Sequence, residues 1–162
     1  MSPKLNFQII SLDEVPPKES IFPCEPRVIL VVDDEKIIAD TLSAILNKSG
    51  FAVMTAYDAK TALEFARVIP PELLITDVAM PGMNGIDLAI AVSQLIPDCK
   101  ILLFSGQAST IDLLDSARHQ GHHFNLLTKP IHPTDMLKRI AECLTNSPAS
   151  QTQQDAAEIL VC

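Results

Sequence analysis

Five short apolar runs, each followed by a stretch of helical periodicity, set what this chain can fold into. The first run, Val28-Ile29-Leu30-Val31-Val32, is continuous and mostly β-branched, the pattern of a strand covered on both faces. Residues 35–49 follow as a helix with Ile38, Leu42, Ile45 and Leu46 on one face and Gly50 as its C-terminal cap. Phe51 to Ala56 reads as a second strand, and Asp58 caps a helix whose Ala62, Phe65, Ala66 and Ile69 share a face. Pro70-Pro71 ends that helix, and Leu73-Leu74-Ile75 starts the next strand. A helix over 85–96, a strand over Ile101 to Phe104, a weaker helix over 109–119 and a strand over Phe124 to Thr128 continue the series. Pro133 suits the first turn of a last helix, in which Leu137, Ile140, Ala141 and Leu144 line up.

Strict alternation of this kind predicts an α/β fold, a doubly wound parallel sheet with helices on both faces and right-handed crossovers. Ligands of such sheets bind at the C-terminal ends of the strands, near the point where strand order reverses. The periodic region spans residues 27–145. Residues 1–26 carry five prolines and no sustained period, and read as an N-terminal extension. Residues 146–162 are polar until Ile159 and read as a C-terminal tail.

Charge and composition narrow the partners. The net charge is −8, which repels phosphate backbones and argues against direct nucleic-acid binding. No apolar run approaches the length of a membrane span or a signal peptide, so no membrane insertion and a cytoplasmic location are expected. Cys24, Cys99, Cys143 and Cys162 match no metal-binding spacing and are expected as free thiols. His119, His122, His123 and His132 likewise lack a tidy ligand spacing and read as loop histidines.

The strand ends carry the chemistry. Asp33 and Asp34 follow the first strand, Asp77 the third, Ser105-Gly106 the fourth and Lys129-Pro130 the fifth. Each has a plain alternative: Asp33-Asp34 can cap a helix and Asp77 can initiate a turn before Pro81-Gly82. Together, in this order, they bring carboxylates, a hydroxyl and an ammonium to one edge. Carboxylates about 5 Å apart repel by roughly 3 kcal/mol per pair at an effective dielectric near 20. A hard divalent cation relieves that, and Mg²⁺ is usual where a phosphate completes its shell. A carboxylate nucleophile, a cation and donors to phosphoryl oxygens make a phosphoryl-transfer site.

The motifs Val31-Val32-Asp33-Asp34-Glu35, Thr76-Asp77-Val78-Ala79-Met80-Pro81-Gly82-Met83-Asn84-Gly85, Phe104-Ser105-Gly106 and Leu127-Thr128-Lys129-Pro130 resemble those of response-regulator receiver domains of bacterial two-component systems. The resemblance implies the flavodoxin-like five-stranded order 2-1-3-4-5. It implies that Asp77 accepts a phosphoryl group from a histidine kinase. It also implies that Asp34, Asp77 and the Ala79 carbonyl ligate Mg²⁺ while Asp33 acts through a metal-bound water. Lys129 and Ser105 would each bind a phosphoryl oxygen, and the N–H groups of Ala79 and Gly106 would complete the cradle. The family usually places Tyr or Phe three residues before the lysine, as a switch coupled to the hydroxyl; here Leu126 stands there, with Phe124 two residues earlier. Ala79 and Gln107 flank the site.

The expected function is a stand-alone receiver, a phosphoacceptor rather than a turnover enzyme. Its partners would be a sensor histidine kinase or phosphotransfer protein and a downstream protein target. The alternative is a degenerate receiver that serves only as a phosphorylation-independent interaction module. A phosphoester hydrolase with an Asp nucleophile is a third reading, disfavoured because its usual Asp-x-Asp motif after the first strand is missing and no cap domain fits.

Overall fold

The continuous apolar runs become the middle of a parallel sheet. In the computed structural model, which describes residues 26–106 and 110–145, the elements alternate without exception. They are β1 (Val28–Val32), α1 (Lys36–Lys48), β2 (Ala52–Ala56), α2 (Ala59–Val68), β3 (Leu73–Asp77), α3 (Gly85–Leu95), β4 (Lys100–Ser105), α4 (Thr110–His119), β5 (Asn125–Thr128) and α5 (Pro133–Thr145). The expected extension up to residue 25, the expected tail from residue 146, and Gln107 lie outside the described residues.

The strands pair in parallel in the order β2-β1-β3-β4-β5, the flavodoxin-like order expected from the motifs. β3 is buried along its whole length, and β1 and β4 at all but their first residues. The edge strands β2 and β5 are only partly covered. That gradient explains why the three inner strands read as unbroken apolar runs and the outer two do not.

Strand alternation splits the core into two layers. Ile29, Val31, Ile75, Phe104 and Leu127 lie under Ala39, Leu42 and Leu46 of α1 and Met136 and Ile140 of α5. Leu30, Val32, Leu74 and Leu103 point the other way, beneath Ala62 and Ala66 of α2, Leu88 and Val92 of α3, and Leu114 of α4. Among the described residues no helix is long and apolar enough to cross a membrane. Cys99 and Cys143 are free, and burial pushes the Cys99 thiol up to about 12.

In two helices part of the expected face is exposed. In α2 the buried residues are Ala59, Ala62 and Ala66, while Phe65 and Ile69 are 38% and 49% exposed. Three alanines let α2 lie close to the sheet, which leaves no room for the larger side chains beneath it. In α5 Ile140 is buried and Leu137 and Leu144 pack partly buried against the core as expected, joined by buried Met136, whereas Ala141 is exposed. Asp58 caps α2 as expected, accepting from the Thr61 N–H at 2.8 Å.

The start of α3 is the tightest junction in the fold. Asn84 caps it, its Oδ1 accepting from the N–H groups of Ile86 and Asp87, each at 2.9 Å. The next residue, Gly85, donates its N–H to the Val78 carbonyl at 3.0 Å. A Cβ on Gly85 would lie 1.9 Å from the Asp77 carbonyl oxygen. Glycine is required here by this close backbone approach, not by a positive φ. Gly85→Ala should push α3 off the end of β3 and cost about 3 kcal/mol. Chemical denaturation with an unchanged midpoint would contradict that packing.

Candidate functional site

Strand order reverses between β1 and β3, and the crevice above their C-terminal ends is where this fold binds ligands. Asp33 directly follows β1 and Asp77 is the last residue of β3. Both side chains are buried, with residue exposures of 4% and 7%. Two buried carboxylates need a countercharge, and Lys129 provides it from the far end of β5. Its Nζ donates to Asp77 Oδ1 at 2.7 Å and to Asp33 Oδ2 at 3.0 Å. The same ammonium lies 5.6 Å from the centre of the Phe104 ring, so an aromatic face floors the ion cluster.

The backbone holds these groups in place. Asp33 Oδ1 accepts from the Glu35 N–H at 2.9 Å, so the carboxylate also fixes the turn into α1. One oxygen of Asp33 thus serves the turn and the other the ion pair with Lys129, while the N-cap residue of α1 is Glu35, which makes no side-chain cap bond. The Val78 N–H donates to the Phe104 carbonyl at 3.0 Å and the Lys129 N–H to the Ser105 carbonyl at 2.8 Å. These bonds carry sheet pairing beyond the strand ends. The Lys129–Pro130 peptide is cis.

Burial raises the Asp77 carboxyl above its ordinary range, opposed by the Lys129 ammonium and the Ala79 N–H and reinforced by the Asp33 charge. Burial works against the charged form of Lys129 too, but the hydrogen bonds and charges of Asp77 and Asp33 outweigh it, and its pKa is raised. The two shifts have opposite origins: burial lifts the Asp77 carboxyl, whereas its carboxylate partners lift the Lys129 ammonium against burial. Two carboxylates against one ammonium leave the buried cluster at a formal charge of −1.

The remaining expected residues are placed as follows. Asp34 is exposed beside it rather than crowded into it. The expected repulsion among three carboxylates is thus replaced by two carboxylates bridged through an ammonium. Ala79 and Gly106 lie in the turns after β3 and β4. Ser105 is buried, and its hydroxyl hydrogen-bonds that of Thr110 at the start of α4. Leu126 and Phe124 are partly buried against the α2–α4 layer, on one side of the sheet as alternation requires. Thr110 was not legible in the sequence, where a threonine at a helix start reads as an ordinary terminal residue.

Among the described residues, no group of three His, Cys, Asp or Glu side chains is arranged to hold a metal ion. Mg²⁺ does not need three, because it commonly takes one or two carboxylates and fills its octahedron with water and phosphate oxygens. A residual negative charge, an all-oxygen donor set and an exposed Asp34 alongside fit such a hard cation.

Fold and site together define a receiver, and comparison with known proteins agrees. The response regulator receiver domain model matches residues 29–141, and the chain belongs to that family. It is 31% identical over 131 residues to the DNA-binding transcriptional regulator NtrC of Azospirillum brasilense, covering 80% of this chain and 27% of that protein. It is 31% identical over 136 residues to the alkaline phosphatase synthesis transcriptional regulatory protein PhoP of Bacillus subtilis, covering 82% of this chain and 56% of PhoP. The match thus spans well under two thirds of either relative. Among solved structures, a CheY-like response regulator receiver domain protein of Methanospirillum hungatei superposes with a TM-score of 0.67 at 29% identity, over 74% of this chain and 94% of that one. The receiver domain of NtrX from Brucella abortus superposes with a TM-score of 0.65 at 29% identity, over 74% and 99% of the two chains.

The pKa directions give a test of the cluster. An acid whose folded pKa is raised costs stability while ionised, and the cost fades as pH falls toward its unfolded value near 3.8. In EDTA at pH 7, Asp77→Asn should melt at or above the wild-type temperature, and the difference should shrink as pH approaches 4. A variant markedly less stable at pH 7, with a gap unchanged at pH 4, would contradict this account of Asp77.

Proposed function

We propose that this chain is a phosphoacceptor in a two-component phosphorelay, with Asp77 taking a phosphoryl group from the phosphohistidine of a sensor kinase or phosphotransfer protein. The observation that carries this reading is the Lys129 ammonium held 2.7 Å from Asp77 Oδ1 at the mouth of the crevice. A carboxylate oxygen of Asp77 attacks phosphorus in line. The new O–P bond forms as the N–P bond of the donor breaks, and the donor imidazole leaves with the bonding pair and takes up a proton. Lys129 shifts from carboxylate partner to phosphoryl-oxygen partner, neutralising charge where it develops. The N–H groups of Ala79 and Gly106 and the Ser105 hydroxyl supply further donors to the equatorial oxygens.

Asp34, Asp77 and the Ala79 carbonyl would hold Mg²⁺ beside this set, with Asp33 supporting it through a water. Bound there, the cation supplies positive charge to the phosphoryl oxygens. The protein is thus a partner in one transfer at a time and not a turnover enzyme. Output passes through protein contacts or onward transfer to another histidine. The intact Asp77–Lys129 pair favours this over a degenerate receiver that serves only as an interaction module. A net charge of −8 favours protein partners over nucleic acid.

With Mg²⁺ and acetyl phosphate, intact-mass spectrometry should show the gain of one phosphoryl group, lost on treatment with hydroxylamine. Asp77→Asn should take up none, because an amide is no nucleophile. Equal labelling of that variant would overturn the assignment. Asp34→Ala should weaken Mg²⁺ binding by about tenfold or more, read by NMR titration of the strand-end amides. An unchanged affinity would remove Asp34 from the metal shell.

A further inference from the structure

Ser105 closes β4 and Thr110 opens α4, and both are only 2% exposed. Their hydroxyls are hydrogen-bonded to each other. Only Thr110, Leu114 and Ala117 are buried in α4, so Thr110 is the one polar anchor of that helix. By strand alternation Ser105 lies on the side of Ile101 and Leu103, which face the α2–α4 layer. To donate to a phosphoryl oxygen on Asp77, its hydroxyl must turn from that layer toward the crevice. A serine has a single O–H proton, and turning the side chain carries that hydroxyl away from Thr110.

We propose that Thr110 is the positioning residue for Ser105. Its hydroxyl latches the Ser105 side chain in the resting state, and phosphorylation of Asp77 breaks the latch and loosens the first turn of α4. The inference rests on the phosphoacceptor reading and deepens it, since it names the residue through which the hydroxyl of the site reaches a helix. It also accounts for Leu126. A leucine has no hydroxyl to trade partners and no flat ring to slide inward, so the aromatic route to the same helix is missing. A hydroxyl pair buried between strand end and helix start supplies a route that does not need it.

The test compares wild type with Thr110→Val, which keeps the shape and removes the hydrogen bond, and Thr110→Ser, which keeps the bond. Phosphorylation by acetyl phosphate with Mg²⁺ is followed by intact mass, and α4 by NMR shifts of residues 110–119. Losing one buried hydroxyl bond from the resting state should speed phosphorylation of Thr110→Val about fivefold. Resting Thr110→Val should already show the α4 shifts that wild type shows only when phosphorylated, and Thr110→Ser should restore both wild-type behaviours. A merely structural role for Thr110 would leave the serine variant no better than valine, and that result overturns the proposal. A Thr110→Val that is phosphorylated at or below the wild-type rate, with unchanged α4 shifts, overturns it as well. If wild type itself takes up no phosphoryl group, the phosphoacceptor reading falls and the latch with it. If wild type is labelled and Thr110→Val matches it, the latch alone falls.

Discussion

Lys129 reaches from the end of an edge strand, across β4, to carboxylates on β1 and β3. Its two bonds, 3.0 Å to Asp33 and 2.7 Å to Asp77, join segments 96 and 52 residues apart in sequence. Two buried carboxylates need such a partner, because an unpaired buried charge costs several kcal/mol. The ammonium is in turn held by them. The geometry demands that the strands end in register, since moving one strand by a single residue would send its side chain to the opposite face. The register observed, with Asp77 beside Phe104 and Ser105 beside Thr128, keeps these ends level. Sheet pairing and ion cluster therefore specify each other.

The cluster is buried but not neutral, and that imbalance is what the proposed site reading rests on. A buried pair of one acid and one base would be content as it is. Here burial pushes up the carboxyl of Asp77 and the neighbouring Asp33 charge adds to it, even with Lys129 at hydrogen-bond distance. Added positive charge lowers that tension. A hard cation would bring it and suits oxygen ligands. The same logic explains why Asp34 stands outside, exposed: a third buried acid would be too costly, whereas an exposed one can still turn toward a metal.

The parts legible in the sequence were those governed by periodicity and by local rules. Unbroken runs such as Val28–Val32 marked the inner strands, and Asp58 marked a helix start, because both depend on neighbours in the chain. Side chains that follow strand ends could be listed without knowing any distance, which brought out Asp33, Asp77, Ser105 and Lys129. What stayed hidden depends on approach through space. The exposure of Phe65 follows from how closely three alanines bring α2 to the sheet, and no window of sequence contains that distance. Gly85 read as the first residue of a helix, yet its role is set by the Asp77 carbonyl against which it packs. Thr110 gave no signal, since its partner lies on another element and shares no repeat with it.

Parity along the strands also separates chemistry from its readout. Asp33, Asp77 and Lys129 continue the positions of Val31, Ile75 and Leu127, which face α1 and α5. Ser105 and Leu126 belong to the opposite set, which faces α2, α3 and α4. Charge handling and helix contact thus lie on opposite faces of one sheet only a strand's thickness apart. Under the phosphoacceptor reading proposed above, a change of charge at Asp77 would reach α4 through a group able to swing around the strand end. Among the described residues, Ser105 has the position and the proton for it. Its resting partner on α4 then decides how readily the signal passes. The Thr110 hydroxyl would add one modest hydrogen bond to what resists the swing, and removing it would shift the balance between the two states. A small gap leaves both states populated, so a binding partner that prefers one of them can complete the shift with its own contact energy.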